Sequence, residues 1–174
     1  MKNINWSGIM KIKEIHHLDS NGNIIFEAFN IKNLLHFEGE EFLLQAAFLG
    51  GRNSTIIPDY YYLGLDNRSL VDTDDKIADL IGEPYGGGYQ RAEINSSNKF
   101  SLNKEDVHYV ATSPIVSFNA NSIGGWGPVS NLFLTAEVNG NYKLISTAIL
   151  DHPITLNDGD KVTMRIGMQI RQFS

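Results

Sequence analysis

The chain has no cysteine among its 174 residues. Disulfides, cysteine-ligated zinc and thiol nucleophiles are therefore excluded. Basic residues are scarce: 14 Lys and Arg stand against 20 Asp and Glu, a formal charge of −6. They are scattered singly apart from Lys11 and Lys13. Displacing counterions from a duplex needs clustered cations, so no nucleic-acid partner is expected. The same scarcity disfavours a peripheral membrane role. No apolar run approaches the roughly 20 residues of a membrane-spanning helix. The stretch Met1-Lys2-Asn3-Ile4-Asn5-Trp6-Ser7-Gly8 lacks the continuous apolar segment of a signal peptide, so assembly in the cytoplasm of the producing cell is expected. No linker, low-complexity tract or fixed-period repeat divides the chain, and its length suits one domain, residues 1–174.

What is present is turn chemistry between runs of β-formers. Ile9 to His16 and Ile24 to Ile31 flank Asp19-Ser20-Asn21-Gly22-Asn23, a hairpin in which Met10 and Ile12 alternate with Lys11 and Lys13. Further strands are expected near Tyr60–Leu65, Tyr89–Asn95, Val107–Ser113, Ile115–Asn119, Asn131–Val138, Tyr142–Leu150 and Lys161–Gln172, with reversals at Asn139-Gly140 and Asp158-Gly159. The best helix is Phe37 to Phe48. Leu44 and Phe48 lie four apart, Phe42, Leu43, Ala46 and Ala47 widen the stripe, and Glu38, Glu40 and Glu41 complement the dipole. Gly39 weakens it and Gly50-Gly51 ends it. A second, short helix is expected at Asp74 to Ile81, capped by Thr73. The fold class is mainly β: a β-sandwich, jelly-roll-like or Ig-like, with one or two short helices.

No constellation carries chemistry well. Asp19 to Asn23 resembles the start of a calcium loop, but the bidentate Glu of the twelfth position is replaced by Asn30, so a hairpin turn is the better reading. Asp72-Thr73-Asp74-Asp75 offers carboxylates for a cation, or merely a solvated helix start. Gly86-Gly87-Gly88 precedes Tyr89-Gln90-Arg91 and not a Lys-Ser/Thr pair, so it reads as a loop. His16 and His17 point to opposite faces of a strand, and His36, His108 and His152 complete no ligand set. No nucleophile elbow is found. The expectation is a non-enzyme with no cofactor and no metal.

Trp126, inside Asn121 to Val129, is either a plug at the end of the sandwich or an exposed anchor; the plug is favoured, since large aromatics are mostly buried. Partner-binding candidates are Trp6, Tyr85 and Trp126. Trp6 is expected on an N-terminal arm, residues 1–8, ahead of the first strand. Tyr60, Tyr61, Tyr62, Tyr85, Tyr89 and Trp126 together suggest an alternative carbohydrate- or receptor-binding face.

Several strings are familiar as an ordered set. They are Glu38-Gly39-Glu40-Glu41-Phe42-Leu43-Leu44, Tyr61-Tyr62-Leu63-Gly64-Leu65-Asp66-Asn67-Arg68, Gly82-Glu83-Pro84 with Gly88-Tyr89-Gln90-Arg91, Trp126-Gly127-Pro128-Val129-Ser130-Asn131-Leu132-Phe133-Leu134, and Val162-Thr163-Met164-Arg165-Ile166. In this order, over residues 33 to 168, they resemble a family of small structural proteins of tailed bacteriophages. The resemblance implies a virion component without enzymatic activity: a capsid decoration or cement protein, or else a tail, head–tail joining or head-fibre component. The expected partners are the major capsid protein or other virion proteins, and copies of the chain itself as a homo-oligomer, a trimer among the options.

Overall fold

A computed structural model describes residues 5–49, 58, 60–68, 70–80, 82–95, 99–121 and 123–173. It is a two-sheet antiparallel β-sandwich with one short helix. The strands are β1 (Asn5–Leu18), β2 (Ile24–Lys32), β3 (Leu34–Leu35), β4 (Tyr60–Asp66), β5 (Ala92–Asn95), β6 (Ser101–Glu105), β7 (His108–Thr112), β8 (Val116–Asn119), β9 (Trp126–Val138), β10 (Asn141–Leu156) and β11 (Lys161–Phe173). Sheet A runs β2-β1-β11-β7-β6, with β8 also paired to β11; sheet B runs β3-β10-β9-β4-β5.

Two-residue periodicity puts one contiguous core between the sheets. Ile12, Ile15, Val116, Phe118, Val162, Met164 and Ile166 come from sheet A; Leu63, Leu65, Ile94, Leu132, Leu134 and Ile145 come from sheet B. The expected reversals are present. Asn139 and Gly140 adopt φ of 52° and 75°, the pair of positive values that a tight hairpin turn requires. Two strands were not anticipated. Leu34–Leu35 is too short to show a period, and every residue of Ser101–Glu105 is exposed, so no apolar alternation marks it.

Helix α1 (Phe37–Leu44) occupies the expected position and runs on as a π turn, Gln45–Leu49. The expected glycine stop at Gly50-Gly51 lies outside the described residues. Its apolar stripe is narrower than the pattern suggests: Phe42 is buried and Leu43 packs on the core, but Leu44 and Phe48 face outward. Gly39 has a positive reason to be glycine, since a Cβ there would strike the Ile145 backbone of β10. Glu38 does more than complement the dipole, accepting the Leu144 N–H at 3.1 Å.

The second helix contracts to a 3₁₀ turn, Ile77–Asp79. Its carboxylates are used locally. Asp75 accepts from Arg68 Nη2 at 2.9 Å and from the Asp72 N–H at 2.8 Å, and Asp79 accepts from the Lys76 N–H at 2.8 Å. Thr73 caps nothing there; its carbonyl accepts the Phe37 N–H at 2.9 Å and so closes the start of α1.

The segment containing this turn lies over the outer face of sheet B. Leu80 is buried against Phe133 and Leu144, with Ile77 beside them, as a second small core. Asp66, fully buried, anchors the segment: it accepts from the Gly82 N–H at 2.8 Å, the Arg68 N–H at 3.1 Å and Asn131 Nδ2 at 2.9 Å. Each of these bonds meets a buried polar group that would otherwise be costly to leave unpaired.

Candidate functional site

Tyr85 and Trp126 are distant in sequence, yet they line one cleft of about 230 Å³ at the end of the sandwich. Its walls are Gly82 to Tyr85 on one side and Gly125 to Pro128 on the other, with Asn67 between. The sequence places Trp126 in a loop; it is instead the first residue of β9, opposite Leu156 of β10. Only 3% of it is exposed. Tyr89 meets its indole edge-on, with ring centroids 5.4 Å apart, and stacks on Phe118. Trp126 is therefore the plug and cannot be the exposed anchor.

The wall beneath Tyr85 is rigid. Tyr89 Oη accepts the Leu65 N–H at 2.9 Å and donates to Glu83 Oε2 at 3.1 Å. Burial pushes this phenol well above its ordinary pKa, with the Glu83 charge adding to the shift, so it remains a neutral donor. Arg91 grips the same carboxylate through both Nε, at 3.0 Å, and Nη2. A charge-assisted bidentate pair of this kind fixes orientation as well as position.

Tyr85 itself is wholly exposed, and so is Ile123 on the neighbouring loop. The two loops are joined by the Asn121 N–H donating to the Gly87 carbonyl at 3.3 Å. The pattern at Ile123 was readable: an apolar residue flanked by Asn121-Ser122 and Gly124-Gly125 sits on a turn too tight to tuck it inside.

Trp6 is not ahead of the first strand. β1 begins at Asn5, and Trp6 stands opposite Gln172 of β11, so from Asn5 onward the expected arm belongs to sheet A. The Trp6 side chain lies outside the described residues. The six aromatics of the alternative ligand face divide. Tyr61, Tyr89 and Trp126 pack on or within the core, whereas Tyr60, Tyr62 and Tyr85 retain surface.

The histidines also divide as strand geometry requires. His17 is buried with Nε2 at 3.0 Å from Asp160 Oδ2, while His16 lies on the outer face against Phe29. Burial pushes the Asp160 carboxyl up, but the Asn157 N–H at 2.8 Å and the His17 ring outweigh it and hold it below 3.8. The pair fastens the turn before β11. Among the described residues no three His, Asp or Glu side chains converge as a metal site, and no helix is long and apolar enough to cross a membrane. Comparison of the chain with family models, curated proteins and solved structures finds no match.

Proposed function

We propose that the protein is a structural component of a tailed-bacteriophage virion, foremost a capsid decoration or cement protein that binds the capsid lattice and stabilises it. The observation that carries this reading is the pair of fully exposed apolar side chains, Tyr85 and Ile123, on hydrogen-bonded neighbouring loops at one end of a braced sandwich. Rigid aromatic anchors bind at low entropic cost, and a lattice repeats one modest contact many times. The ordered motifs that resemble those of tailed-phage structural proteins, and a net acidic charge suited to facing away from packaged DNA, support the same reading. A tail, head–tail joining or head-fibre component is the second reading, which the same pair of exposed side chains would serve.

Copy number per purified particle, measured by quantitative mass spectrometry against the major capsid protein, tests the proposal. Parity or a simple fraction supports decoration. A handful of copies moves the protein to the tail, the joint or a fibre, and absence from the particle overturns a virion role. Tyr85→Ala is expected to weaken particle binding by about tenfold or more, as for an interface hot spot, while leaving the thermal midpoint of the free protein unchanged.

A further inference from the structure

The outer face of sheet B is covered by the Asp66-anchored segment only in part. Strand alternation places Tyr60 and Tyr62 of β4 on this face with Glu137 of β9, Tyr142 of β10 and Glu93 of β5. Their rings form a row: Tyr60 and Tyr62 have centroids 6.3 Å apart, and Tyr62 and Tyr142 5.6 Å apart at 66°. Arg91 continues the row, its guanidinium 5.3 Å from the Tyr142 centroid and 5.2 Å from that of Phe133. Tyr62, Tyr142, Gln90 and Arg91, with Ile77 and Ala78 of the 3₁₀ turn, line an open groove of about 580 Å³. That volume is within the range of about 300–1,000 Å³ typical of small-ligand clefts.

The charges around the groove select its occupant. Glu137 accepts the Tyr62 hydroxyl at 3.1 Å, and Glu93 sits opposite Tyr62 on β5, so an anion meets two carboxylates. A cation is drawn to those carboxylates but meets the Arg91 guanidinium against Tyr142, just as an anion drawn to Arg91 meets the carboxylates. A neutral ligand avoids both conflicts. Ring faces want an apolar surface to lie on. The exposed Gln90 amide both donates and accepts, the carboxylates accept, and the Tyr142 hydroxyl does either. A molecule with an apolar C–H face and a rim of uncharged hydroxyl groups satisfies all of these at once.

We infer that this groove is a binding site for a neutral saccharide, held with its C–H face against Tyr142 and Tyr62 and its hydroxyls on Gln90 and the flanking carboxylates. The inference is independent of a virion role, because the groove and the end cleft share no lining residue.

The test applies the purified full chain to an array of neutral, anionic and amino-sugar glycans. The best neutral glycan is then titrated by calorimetry into the wild type, Tyr142→Ala and Gln90→Ala. Binding of neutral glycans is expected, with anionic counterparts about tenfold weaker or worse. Tyr142→Ala should lower affinity about tenfold and Gln90→Ala about fivefold. Should Tyr142→Ala lose its β circular-dichroism signal, the exposed Gln90→Ala variant decides alone. No neutral glycan bound, a preference for charged glycans, or unchanged affinity in the folded variants would each overturn the site.

Discussion

The two sheets share one core but differ on their outer faces. On sheet A that face is solvated: Glu14 pairs with Arg165 at 3.2 Å, His16 lies 4.0 Å from Glu27, and Ser117 and Asn119 are exposed. On sheet B part of the outer face is a second packing layer, with Phe133 and Leu144 fully buried beneath Leu80. The consequence is written into the strands. Val162 to Ile166 alternates apolar and polar, as a half-buried strand does. Asn131 to Ala136 is buried at every position, like a strand covered on both sides. Gly64 belongs to the same arrangement, since a Cβ there would collide with the Phe133 ring.

The contrast is broken most severely by Phe133→Ala, expected to cost about 3–5 kcal/mol because the cavity opens in a packed layer. Thr163→Ala, at an outer position of sheet A, should cost under about 1 kcal/mol. Urea denaturation of the two variants compares them; similar midpoints would mean that the second layer contributes no core.

Asp66→Ala comes next. It leaves three donors without their acceptor, and a loss of about 2–3 kcal/mol is expected. Hydrogen exchange should locate the loosening between Asn67 and Gly82, with sheet A still protected. Uniform loosening of both sheets would contradict the anchoring role.

Acid should affect the two sheets over different pH ranges. His36 is fully buried with Nε2 at 3.0 Å from Thr147 Oγ1 of β10, and burial pushes its imidazole below 6.5 even though Asp75 opposes the shift. The unfolded chain therefore takes up this proton first, and stability falls as pH drops from 6.5 toward the lower folded value. Asp160, beside β11, is held below 3.8, so its contribution is complete above that value and is lost as pH falls through the folded one. Stability measured from pH 8 to 3 in the wild type and His36→Gln separates the two, since the substitution should remove only the upper limb. An unchanged upper limb would assign it elsewhere.

The smallest effect is expected at Glu14→Gln, where a partly exposed ion pair is worth about 0–1 kcal/mol and is screened by salt. A larger loss would show that the outer face of sheet A is more than a solvated surface.

Periodicity, turn residues and caps are local, and they were sufficient for the β class, the hairpins at Gly22 and Gly140, helix α1 and the loop at Gly86-Gly87-Gly88. Only tertiary structure decided what covers the outer face of sheet B, because the Asp66 anchor joins residues 66, 82 and 131 through bonds that no local pattern encodes. Trp126 is an intermediate case: burial of large aromatics favours the plug from sequence, but only the packing of Tyr89 and Phe118 around it excludes the anchor. Tyr142 shows the limit most clearly. It reads as one more strand residue, and it joins Tyr62 and Arg91 only because β10, β9 and β4 are adjacent in a sheet whose order depends on contacts far apart in the chain.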